Sequence, residues 1–136
     1  MLISSGALGK LEDLCESPCV EVRDQALLAI GFTVRHDPDI RDYLSAMNYI
    51  EGLQRLLTKG AEGHLELTSL LRCVWVVSLF CGATMPRDHA KPTYSVEVLT
   101  GICSNLVSLF HLHDQENLIA NCMTGLSYIL PVLPGD

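Results

Sequence analysis

The chain has 136 residues, a length suited to one domain, and with 49% hydrophobic against 18% charged residues it has ample material for a core. Its net charge of -7 and sequence pI near 5.1 lack the basic footprint that duplex nucleic acid demands, so basic peptides are the better class of partner. A mean hydropathy of +0.28 is high for a soluble domain, which suggests a slice of a larger stack or exposed apolar ends that want partners.

Residues 6 to 16, GALGKLEDLCE, put Ala7, Leu8, Leu11, Leu14 and Cys15 on one stripe at helical spacing. Ser17-Pro18 breaks that helix and starts another, with Ser17 as cap and Pro18 in the first turn. The new stripe is Val22, Ala26, Ala29, Ile30 and Thr33, running to about Arg35. Asp37-Pro38 repeats the cap-and-proline device and opens the short helix DPDIRDYLSAM. From Tyr49 the pattern resumes through Ile50, Leu53, Leu56 and Leu57 to Lys59-Gly60, a terminal cation followed by a stop residue.

Glu62-Gly63 makes the turn before the most apolar stretch, SLLRCVWVVSLFCGA from Ser69 to Ala83, which holds the single tryptophan, Trp75. Its apolar run from Cys73 to Cys81 is bounded by Arg72 and Gly82 and falls well short of the roughly 20 residues that a bilayer span needs. Leu70, Val74, Val77 and Cys81 form one row, and Leu71, Trp75 and Leu79 a second, so this helix is apolar on two faces and belongs between other helices. The β-branched Val74, Val76 and Val77 would also suit a buried strand, but the pattern reaches back through Leu65 and Leu67, which is long for one. Thr84 to Pro92, TMPRDHAKP, reads as a loop bracketed by prolines. Val96, Leu99, Ile102, Cys103, Leu106, Leu109 and Phe110 mark the next helix. Asp114 caps the last one, Leu118 to Leu130, which Pro131 and Pro134 end.

Without a strand-and-turn series the chain is all-α, and its helices repeat. The group Leu11, Leu14, Cys15 recurs as Leu53, Leu56, Leu57 and as Leu106, Leu109, Phe110, each time followed by a longer, more apolar helix. The offsets between leading leucines, 42 and 53 residues, straddle the period of armadillo and HEAT repeats. A single domain, 1–136, with repeat units of about 1–46, 47–90 and 91–136 follows.

The opening MLISSGALGK lacks a basic region ahead of an apolar stretch, so no secretory signal is read and a reducing compartment is expected. Cys15, Cys19, Cys73, Cys81, Cys103 and Cys122 mostly sit inside helical patterns, as buried thiols do. Cys15 and Cys19 have no second pair at zinc-finger spacing, and His111 with His113 would need ligands from elsewhere, so no metal or other cofactor is expected. No nucleophile, base and orienter trio, glycine-rich phosphate loop or H-E-x-x-H stands in the sequence, so an enzyme is not expected either. Beyond Lys91 the chain carries Glu97, Asp114, Glu116 and Asp136 with no further lysine or arginine: an ordinary acidic surface, or one suited to basic peptides.

EVRDQALLAIGF (Glu21 to Phe32) followed by DPDIRDYL (Asp37 to Leu44) resembles the importin-α repeat, in which an E-V-x-x-Q-A-x-W-A-L-G-N helix leads to a short R-D segment. CVWVVSLFCG resembles that family's W-x-L-S-N-L-C helix, and GLSYIL (Gly125 to Leu130) the L-S-Y helix end of the following repeat. The match runs in order over nearly the whole chain, with one extra residue between Cys122 and Leu126. The resemblance implies a right-handed armadillo solenoid of about three repeats from the central cargo-binding region. It implies an adaptor for proteins bearing basic nuclear localisation signals, moving between cytoplasm and nucleus, with neither nucleic acid nor membrane as partner. Packed helices lie about 8 to 10 Å apart and an extended peptide advances about 3.3 Å per residue, so successive repeats meet a peptide roughly every three residues. Indoles on successive groove helices would grip lysine stems, and asparagines one turn later would clamp the peptide backbone.

By that resemblance Trp75 is a groove tryptophan, Tyr128 matches a tyrosine the family can carry at a clamp position, and Ser78 and Asp37 fall among the peptide-binding positions. Asp37 adjoins His36, where the family has an acid. Elsewhere the pattern is degenerate. Leu28 and Phe32 replace the tryptophan and asparagine of the first groove helix, Leu79 replaces the second asparagine, and Thr124 stands at the third tryptophan position. Two lost clamps at about 0.5 to 1.5 kcal/mol each weaken binding roughly 5- to 150-fold. Arg72 shares a face with Trp75, where it repels a basic peptide or occupies the ring itself, or else is solvated or paired with a carboxylate. No basic amino-terminal arm, the part that recruits importin-β in that family, stands ahead of the first repeat, so importin-β is not expected to bind. The degenerate positions leave a second expectation: an armadillo scaffold whose apolar groove suits other protein contacts.

Overall fold

The computed structural model describes residues 6–82 and 94–134. They form seven helices and no strand: α1 (Ala7–Leu14), α2 (Val20–His36), α3 (Pro38–Ala46), α4 (Tyr49–Ala61), α5 (Leu67–Gly82), α6 (Val96–Leu112) and α7 (Glu116–Ile129). A 3-10 turn, Leu130–Val132, closes the described chain. The TMPRDHAKP loop lies outside the described residues.

α5 lies between α2 and α7 and packs most extensively against those two, while α4 packs on α5 and α6, α6 on α7, and α1 on α2. A backing helix followed by an inner helix therefore recurs three times, with α3 touching both α2 and α4. This is the all-α, armadillo-type solenoid that the periodicity predicts. Leu70, Val74, Val77 and Cys81 are fully buried on one face of α5, and Leu71, Trp75 and Leu79 are half-buried on another. Leu27, Ile30, Phe80, Leu106 and Ile129 join that core, each such side chain contributing about 1.5 to 3 kcal/mol on burial.

The buried face of α2 differs from the predicted stripe. It comprises Arg23, Asp24, Ala26, Leu27, Ile30, Gly31 and Val34, while Val22 is 38% exposed. A polar clasp turns the helix. The Arg23 guanidinium donates to Ser69 Oγ (2.8 Å) and Glu66 Oε2 (2.6 Å), and Asp24 accepts from Ser69, Thr68 (2.7 Å) and Arg72 (3.0 Å). Buried charges survive where each is paired and hydrogen-bonded, and this set has two of each sign.

Helix ends follow local chemistry, with three corrections. α2 starts at Val20, and Ser17 Oγ accepts from the Cys19 N–H (3.2 Å) ahead of it. α4 continues through Gly60, and its stop is Gly63 in the left-handed region (φ 81°). The Gly63 N–H donates to Gly60 O and the His64 N–H to Lys59 O, the paired bonds of a Schellman ending. α7 is capped by Gln115, whose Oε1 accepts from the Leu118 N–H (3.1 Å), not by Asp114. Asp37 does cap α3, accepting from Asp39 and Ile40 N–H ahead of Pro38. Cys15, Cys73, Cys81 and Cys122 are buried, as their helical positions imply, and Cys19 is exposed.

Candidate peptide groove

The inner helices bring Trp75, Ser78 and Leu79 of α5 against Thr124 and Tyr128 of α7, and together they line a cavity of about 570 Å³. Gly82, Asn121 and, from α3, Arg41 complete the lining. On α7 the spacing explains the alignment, since Asn121, Thr124 and Tyr128 fall at i, i+3 and i+7 and so share one face. Met123, one residue before Thr124, lines a separate apolar hollow with Val107, Phe110 and Leu126.

The other flank of Trp75 is closed. A Cβ on Gly31 would come within 2.1 Å of Trp75 Cζ3, so only glycine lets the indole lie on the α2 backbone. The Phe32 ring meets Trp75 edge-on, with centroids 5.3 Å apart. Leu28, half-buried one turn before Phe32, does not line the cavity, and neither does Phe32.

Two residues expected in the groove are engaged elsewhere. Asp37 spends an oxygen on the α3 cap and is not part of the cavity. Ser78 reaches the lining but is 6% exposed, its Oγ bonded to Val74 O (2.9 Å) and 3.3 Å from Asn121 O, so it also ties α5 to α7. Arg72 takes the carboxylate-paired alternative, held by Asp24. Glu66 and Asp24 are thereby occupied, and neither carries uncompensated charge toward Trp75.

Sequence reasoning missed Arg41, Asn121 and Gly31. Asn121 was within reach, lying two turns before Tyr128 on the same helical face. Gly31 carries no local signal, because the Trp75 ring that lies on it is 44 positions away, and Arg41 none, because the α5 and α7 residues that share its cavity come later in the chain.

A layered stack of helix pairs with a cavity opening between its inner helices defines an armadillo-type protein-binding module. Over 95% of its length the chain is similar to importin-α subunits. It is 33% identical over 129 residues to importin subunit alpha-1b of Oryza sativa subsp. japonica. It is 30% identical over 129 residues to importin subunit alpha-6, and 28% over 131 residues to importin subunit alpha-2, both of Arabidopsis thaliana. The chain spans 22% of the length of each of these curated relatives. No family model matches the sequence, and no solved structure matches it significantly. No helix among the described residues is long and apolar enough to cross a membrane.

Proposed function

We propose that the chain, in repeat units of about 1–46, 47–90 and 91–136, binds extended basic segments of nuclear-localisation type in the groove between α5 and α7. The carrying observation is the clustering of Trp75, Thr124, Tyr128 and Asn121 around one open cavity between adjacent inner helices. An indole accepts a lysine stem and its ammonium over the ring, and the Asn121 amide offers both a donor and an acceptor to a peptide backbone. The net charge of -7 favours cationic partners over the surface as a whole.

In this reading affinity is weakened. Phe32 fills the slot on the α2 side of Trp75, so one flank of the indole remains for a lysine where a tryptophan row would supply several. The partners are proteins bearing such signals, and the setting is the cytoplasm and nucleus. Titrating Trp75 fluorescence with a lysine-rich signal peptide tests this reading. A saturable change that weakens with salt is expected; no change at millimolar peptide, or one indifferent to ionic strength, refutes it.

A further inference from the structure

Arg41 is the feature of the cavity that a basic ligand does not explain. Its Nε is sealed from solvent and has no hydrogen-bond partner among the described residues. Among the described residues its ion-pair partner is Asp42 Oδ1, 3.7 Å away and beyond hydrogen-bond reach, on a side chain that is 67% exposed. The contrast with other arginines is direct. Arg23, Arg55 and Arg72 each hold a carboxylate oxygen at 3.0 Å or closer.

A buried guanidinium N–H without an acceptor is costly, and a planar carboxylate is the group that its fork geometry fits best. Around Arg41 the cavity wall adds the Tyr128 hydroxyl and the Asn121 amide, both able to donate to a carboxylate, while the Thr124 hydroxyl donates to Ala120 O (3.0 Å). No carboxylate among the described residues lines this cavity. We propose that the cavity framed by Arg41, Asn121, Thr124 and Tyr128 takes a carboxylate of the bound segment, so that the preferred ligand is a mixed-charge peptide with an acid beside its lysines. This deepens the peptide-groove reading and rests on it. The carboxylate comes either from a glutamate or aspartate side chain or from a free chain terminus, and the chemistry at Arg41 is the same.

Two measurements test it. In the first, nuclear magnetic resonance follows the Arg41 Nε–H and Trp75 Nε1–H signals while N-acetylglutamate amide is added at constant ionic strength, with N-acetylglutamine amide as the neutral control. Saturable shifts with the glutamate compound alone are expected, and equal responses overturn the proposal. In the second, capped lysine-rich peptides carrying Glu or Gln at one scanned position are titrated against Trp75 fluorescence, each as amide and as free acid. One position should favour Glu by roughly tenfold or more, and Arg41→Gln should abolish the preference. A preference confined to free-acid forms identifies the chain terminus as the source. No preference in the wild-type protein, which needs no variant to fold, or a preference that survives Arg41→Gln, overturns the proposal. Shifts at Arg41 without binding of any lysine peptide would instead refute the basic-groove reading while leaving the carboxylate site in place.

Discussion

Gly31 shows how one missing methyl group shapes the groove. Two opposing effects meet at this position. Alanine would raise helix propensity by roughly 1 kcal/mol. Its Cβ would also enter the space of the Trp75 ring, whose atoms lie at 2.1, 2.6 and 2.9 Å from the ideal position. The ring is packed between Gly31 and Phe32, so it cannot swing aside as the end of a flexible side chain would. Overpacking of this kind costs about 1 to 3 kcal/mol, and the clash is expected to win. Gly31→Ala should therefore lower the urea midpoint and shift Trp75 emission to the red as the indole is pushed outward. An unchanged midpoint with unchanged emission would mean that the indole has room that the packing denies it.

At the scale of elements, α2 and α5 are joined by the polar clasp as well as by apolar contact. Asp24 accepts three side-chain bonds from α5 and is nearly buried, whereas Glu66 is 57% exposed. Their removal should differ sharply. Asp24→Ala leaves Ser69, Thr68 and Arg72 without their acceptor and should cost about 3 to 5 kcal/mol, whereas Glu66→Ala should cost under about 1 kcal/mol. Paired denaturant curves for the two variants decide this, and equal losses would show the clasp to be a surface feature. The clasp also marks where sequence reading ran out. Apolar spacing sufficed for α4 and for the Leu70, Val74, Val77 and Cys81 row of α5, which are buried as predicted, while the second row of α5 is half-buried and Cys73, Val76 and Phe80 are buried beside it. On α2 the same rule picked Val22, yet Arg23 and Asp24 are the buried residues: apart from Ser17 O, which accepts from Arg23, their side-chain partners lie 43 to 48 positions away. Gln115 displaced Asp114 as cap for a related reason, since cap identity depends on which side chain reaches the Leu118 N–H, not on residue preference alone. In the groove, Trp75, Thr124 and Tyr128 were legible through the resemblance to the importin-α repeat, while Arg41 enters from α3, whose placement over the cavity is a property of the packed stack.

A solenoid is quasi-one-dimensional, so its middle is held from both sides and its ends from one. The cysteines sample that gradient. Cys73 and Cys81 sit in α5, between α2 and α7, while Cys15 follows α1, and Cys122 lies on α7 toward the other end. Burial pushes the thiol of Cys15 up to about 11, that of Cys81 to about 12 and that of Cys122 to about 11, and raises Cys73 further. Thiol reagents attack the thiolate, so burial protects these groups by access and by ionisation together. The folded state keeps the proton. This contribution to stability is whole below the ordinary thiol value of 9.0 and is lost as pH climbs through about 11 to 12. At pH 8 a thiol reagent should label exposed Cys19 first, then half-exposed Cys103, then Cys15 and Cys122 as the ends open. Cys73 and Cys81 should react last, at the rate of global unfolding. Mass spectrometry of the labelled peptides reads the order directly. Labelling of Cys73 or Cys81 as fast as Cys19 would contradict a stack centred on α5, and simultaneous labelling of all four buried thiols would mean that the repeats unfold as one unit.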